Sequence, residues 1–80
     1  MNKIDVSKIY GKIQYVDAFP DFTVEIVDHF PDLKVEEVDF FADSAGKWEI
    51  VEHFPDFKIQ KVDHFGDFKI QYVDYFPGVA

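Results

Sequence analysis

The sequence predicts an all-β repeat domain, and three observations predict it. A unit of eleven residues recurs from Lys12 to the end of the chain. Each copy opens on about six residues rich in Val, Ile and Tyr, the composition of a strand. Each copy then reaches a Phe-Pro-Asp or related stretch. That stretch reads as a turn, because Pro presets φ at a turn position and Asp bonds nearby backbone.

Met1 to Gly11 fits the repeat poorly. Ile4, Val6 and Ile9 are expected to form an opening strand that ends at Gly11, an atypical end piece of the kind repeat arrays carry. The units follow as KIQYVDAFPDF from Lys12, TVEIVDHFPDL from Thr23, KVEEVDFFADSAG from Lys34, KWEIVEHFPDF from Lys47, KIQKVDHFGDF from Lys58 and KIQYVDYFPGV from Lys69. Their fifth position is always Val (Val16, Val27, Val38, Val51, Val62, Val73) and their eighth always Phe (Phe19, Phe30, Phe41, Phe54, Phe65, Phe76). The sixth is always acidic. The core is expected from these Val and Phe side chains.

Only the third copy is longer, carrying ADSAG from Ala42 to Gly46. It divides six copies into three plus three, and the halves align at a separation of 35 residues, Lys12 with Lys47 and Val16 with Val51. The expected organisation is one domain over 1–80, with an end piece 1–11, a first half 12–46 and a second half 47–80. The middle loop joins two similar circuits.

A period of eleven also suits a right-handed helical coiled coil. The spacing rejects that reading. Ile59, Val62, Phe65, Phe68 and Ile70 are denser than a helical stripe requires, and Pro20, Pro31, Pro55 and Pro77 would break a helix repeatedly. In a strand, positions two and five have opposite parity and cannot share one face. Either both faces are covered or the strand is bulged. Position four holds Tyr15, Ile26, Glu37, Ile50, Lys61 and Tyr72, so its surroundings differ between copies.

Eighty residues make a domain that needs a dense core, and with no Cys there is no disulfide or thiolate site to assist. Ten Phe, four Tyr and one Trp supply the apolar area. Sixteen Asp and Glu against eight Lys and no Arg give a formal charge of -8. That balance excludes a nucleic-acid or anionic-membrane surface, which needs a basic patch. No apolar run is long enough for a membrane span and MNKIDVSKIYGK lacks a signal peptide's apolar core, so a cytoplasmic location is expected.

His29, His53 and His64 share position seven, each after an acidic residue: Asp28, Glu52 and Asp63. Convergence of three copies could offer ligands to a divalent metal. The same position holds Ala18, Phe40 and Tyr75, which favours a variable, semi-exposed site instead. The acidic pairs Asp17 and Asp21, Asp28 and Asp32, and Asp63 and Asp67 lack calcium-loop spacing, and repetition in every copy suits turn capping better than one active site. Ser7, Ser44 and Thr23 are the only aliphatic hydroxyls and none lies in a nucleophile elbow. Trp48 is read as core. No catalytic, cofactor-binding or metal-ligating residue is assigned, and no cofactor is expected.

The units TVEIVDHFPDL, KWEIVEHFPDF and KIQKVDHFGDF resemble the septoil-knot domain family, small bacterial all-β proteins whose backbone forms a seven-crossing torus knot. The similarity runs from Lys12 to Ala80. Ala42 and Gly66 depart from it in place of Pro, and Gly78 in place of the last Asp. The resemblance implies a compact knotted fold of six or seven units in two intertwined halves, with no activity attached. The expected function is a non-enzymatic, monomeric structural module resistant to unfolding. The alternative is a binding module that uses its acidic, aromatic surface for a divalent cation or a partner protein.

Overall fold

The computed structural model describes residues 4–80. A 3₁₀ turn, Val6–Lys8, precedes strands β1 (Gly11–Tyr15), β2 (Phe22–Ile26), β3 (Leu33–Glu37), β4 (Lys47–Ile50), β5 (Phe57–Val62), β6 (Phe68–Tyr72) and β7 (Gly78–Val79). They form one sheet in the order β4-β1-β5-β2-β6-β3-β7. A further pairing of β3 with β4 closes the first six strands into a barrel. Every barrel pairing is parallel, and β7 adds to β3 antiparallel.

The repeat sets the stagger. Gly11 lies opposite Trp48, Phe57 opposite Ile13, Phe22 opposite Ile59, Phe68 opposite Val24, Leu33 opposite Ile70 and Trp48 opposite Glu37. Each step around the barrel therefore sets the next strand back by two residues, and six steps accumulate twelve. Stagger of this size tilts the strands steeply. Each strand drifts, as it climbs, toward the strand two places on. The short connections 16–21, 27–32, 51–56 and 63–67 then suffice to return the chain outside the barrel to the start of its next strand.

Consecutive strands thus occupy alternate places. β1, β2 and β3 make one circuit, and β4, β5 and β6 fill the gaps in a second. The passage from one circuit to the other is the long loop of the third unit, which carries the chain to the adjacent place. Gly46 ends it at φ +82°, where a Cβ would lie 2.2 Å from the Lys34 carbonyl oxygen. The strands before Gly46 and those after it are thus intertwined around one barrel.

The core differs from the expected one. Unit position two supplies a fully buried layer, Ile13, Val24, Val35, Trp48, Ile59 and Ile70. The residue just before each unit supplies a second layer toward the strand starts: Gly11, Phe22, Leu33, Gly46, Phe57 and Phe68, all buried or half-buried. Trp48 stands opposite Gly11 and two residues after Gly46, so the largest interior side chain meets the two smallest. Its indole N–H donates to the Ile9 carbonyl at 2.8 Å. Even positions point inward and odd ones outward, as in a regular strand without bulges. The position-five Val side chains are half-buried on the outer face. The position-eight Phe side chains lie outside altogether, because the strand has ended before them and they sit on the external connections.

Among the described residues no opening strand forms. Ile9 is buried and Ile4 and Val6 are half-buried against the core, but Val6–Lys8 is a 3₁₀ turn in which Asp5 accepts from the Ser7 amide at 3.1 Å and from its hydroxyl. The Ser7 hydroxyl holds the exposed Asp5 carboxyl below its ordinary value. The part of the end piece before Ile4 lies outside the described residues.

Candidate functional site

Each connection is built the same way. The position-five amide makes a last ladder bond, such as Val16 N–H to the Ile59 carbonyl at 2.9 Å. At position three, Gln14, Gln60 and Gln71 donate to the position-six carbonyls of Glu52, Asp17 and Asp28 at 2.9, 3.1 and 3.1 Å. Position eight then turns the chain with positive φ, between 54° and 60° in all six Phe. This left-handed region is costly for a bulky side chain, by on the order of 1 kcal/mol or more each. At position nine, Gly66 rests against β2. At Gly66 a Cβ would lie 2.8 Å from the Glu25 amide nitrogen.

The position-eight side chains are 74 to 96% exposed, so six phenyl rings project in a belt around the barrel. Position seven broadens it. His29, His53 and His64 lie beside Phe30, Phe54 and Phe65, ring centroids 6.3 to 6.4 Å apart. Phe40 and Tyr75 make edge contacts with Phe41 and Phe76 at 5.0 and 5.2 Å. The position-six carboxylates, Asp17, Asp28, Asp39, Glu52, Asp63 and Asp74, are exposed two residues before each ring. Among the described residues the ion pair within 4.0 Å is Lys47 with Asp43, which involves none of these carboxylates.

The structure does not gather the three His. They stand exposed on separate connections, and no group of three His, Asp or Glu among the described residues could hold a metal ion. The acidic pairs divide by position. Asp21, Asp32, Asp56 and Asp67, at position ten, accept from the amides of Lys58, Lys69, Lys12 and Thr23 at 2.8 to 2.9 Å and so extend the strand ladder. Their carboxylates cap the strand starts. Of the hydroxyls, Ser7 is bonded to Asp5 and that of Thr23 accepts from the Asp67 amide, while Ser44 is exposed in the long loop. Trp48 is core.

A second polar cluster had its sign in the mixed occupancy of position four. At the C-terminal mouth of the barrel the Tyr15 hydroxyl donates to Glu37 Oε2 at 3.2 Å and shares a 2.8 Å hydrogen bond with the Tyr72 hydroxyl. Lys61 Nζ lies 4.1 Å from the Tyr15 ring centroid and 6.0 Å from that of Tyr72. Burial, then the hydrogen bond and charge of Tyr72, then Glu37, raise the Tyr15 phenol far above its ordinary value. Burial and these hydrogen bonds hold the phenol in its neutral form. Glu36, Glu37, Tyr72, Val73 and Asp74 line a hollow of about 270 Å³ beside it.

No helix among the described residues is long and apolar enough to cross a membrane. No curated protein matches the chain. A family model described as the 7(1) septoil knot domain matches residues 6–80.

Proposed function

The chain belongs to the septoil-knot domain family, and on that premise we propose that it serves as a non-enzymatic structural module whose task is to keep its shape under conditions that unfold ordinary domains of its size. One observation carries the reading: every pairing of the six-strand barrel joins a strand of the first half to a strand of the second. Pulling or cutting at one place therefore leaves the remaining circuit held by strands distant in sequence. The inventory of reactive groups supports the same reading, since the carboxylates of Asp21, Asp32, Asp56 and Asp67 and the hydroxyls of Ser7 and Thr23 are engaged in backbone or local hydrogen bonds. The module acts as a monomer.

Trp48, buried and the sole Trp, reports unfolding directly. Stopped-flow and manual-mixing fluorescence in guanidinium should give unfolding with a half-life of hours or more in water by extrapolation, toward the slow end for small domains. Refolding should also be slow, because long-range loop closure must precede the reward. Millisecond unfolding, or a mass by light scattering that is not the monomer's, would overturn the proposal.

A further inference from the structure

We propose that the phenyl belt is a docking surface for an arginine-rich segment of a partner protein. The six Phe of position eight do nothing for the core, and their positive φ costs the fold free energy that Gly or Asn in the same place would largely spare. Their presence in all six connections is therefore not explained by folding. Exposed apolar area repeated in one belt is the mark of an interaction surface.

The charge of the belt selects the occupant. Each ring follows an exposed carboxylate by two residues, and among the described residues the cation–π contacts both belong to Lys61 at the mouth, so no belt ring is stacked by a cation of the chain's own. A ring face beside a free carboxylate is what a guanidinium uses in full: the planar cation stacks on the ring and pairs with the carboxylate through its fork of N–H donors. An ammonium lacks the planar surface and the fork. A second copy of this chain is a poor occupant, because it brings a formal charge of -8 and no Arg. Recurrence of the pair on every connection favours a segment with several Arg, whose contacts then add through proximity.

The test is fluorescence anisotropy of labelled nona-arginine and nona-lysine peptides titrated with the full-length protein in 150 mM salt, a concentration at which weak surface attraction is largely screened. Nona-arginine should bind about tenfold or more tighter than nona-lysine. The triple variant Phe30→Asn, Phe54→Asn, Phe65→Asn keeps a residue that tolerates positive φ, and Trp48 emission checks its fold. It should lose about tenfold in affinity for nona-arginine and little for nona-lysine. A companion variant, Asp28→Asn, Glu52→Gln, Asp63→Asn, keeps every ring and should weaken both peptides, so that the proposal stays open to refutation if the first variant misfolds. Equal binding of the two peptides, no binding, or unchanged preference for arginine in the triple Phe variant would overturn the assignment. Self-association of the free protein that the triple Phe variant abolishes would overturn it too, in favour of a second copy.

Discussion

Thr23 and Asp67, 44 positions apart, exchange hydrogen bonds in both directions: the Thr23 amide donates to Asp67 Oδ2 at 2.8 Å, and the Asp67 amide donates to the Thr23 carbonyl at 2.8 Å and to its hydroxyl at 3.0 Å. The carboxylate supplies the acceptor that another ladder residue would have provided. The same exchange joins Lys12 with Asp56, Lys58 with Asp21 and Lys69 with Asp32. Replacing Asp67 by Ala should therefore cost about 1–2 kcal/mol in denaturant titration, whereas Asp63→Ala, at the outward-facing position six, should stay within about 0.5 kcal/mol. Equal effects would mean that the two carboxylates are not distinguished as the hydrogen bonds distinguish them.

Ile59→Ala should destabilise by about 2–5 kcal/mol, because Ile59 lies in the fully buried layer and its loss leaves a cavity. Phe54→Ala should change stability by no more than about 0.5 kcal/mol, since the ring is exposed and Ala keeps the same backbone strain. Phe54→Gly should stabilise by up to about 1 kcal/mol by relieving that strain. Urea melts with a common m-value decide the order of these three variants.

Gly46→Ala should cost at least about 2 kcal/mol. The added Cβ would meet the Lys34 carbonyl oxygen and the Gly78 amide nitrogen, and φ +82° strains any other residue. Thermal melting of this variant beside Ser44→Ala, in the same loop but exposed, separates a backbone requirement from a general sensitivity of the loop.

Alkali should weaken the fold through Tyr15. Its phenol is raised in the folded chain above the ordinary value of 10.0, so the unfolded chain loses this proton first and binds fewer protons above that pH. Stability contributed by Tyr15 is complete below pH 10 and falls as pH rises further. Tyr15→Phe should flatten that fall relative to the parent, and the difference between the two curves removes the contribution of Lys titration. Parallel curves would show that the Tyr15 proton is not linked to folding.

The segment 47–80, produced alone, should show no cooperative melting. Within it β4, β5 and β6 are not hydrogen-bonded neighbours of one another, so it holds no barrel pairing. A sigmoidal transition by circular dichroism in a monomeric sample would contradict the interleaved arrangement.

Repeat length and strand class were legible because they rest on local composition and on counting. The core assignment failed at Phe65 and its equivalents for a physical reason. An aromatic recurring in every copy has the statistics of a core residue, and nothing local reports that φ turns positive there and swings the ring outward. Ile59 and its equivalents show the opposite case: position two held Trp48 in one copy and looked less regular than position five, yet it alone is fully buried in all six. Parity was the usable signal, since the residue before each unit and its positions two and four form one inward row. The polar mouth was foreshadowed by the mixed occupancy of position four, but the meeting of Tyr15 with Tyr72, 57 positions away, needed the strand order.

The interleaving of circuits also governs how the molecule is born. While only β1, β2 and β3 have left the ribosome, each has two bare edges and no sibling to pair with, because the places beside them belong to residues still to be translated. The nascent chain must stay open, its aromatic residues accessible to chaperones, until the second half emerges. Synthesis at about 5–20 residues per second makes that wait a matter of seconds. Domains whose neighbours in sequence are neighbours in space can begin folding as each element emerges, whereas this one must wait for its second half.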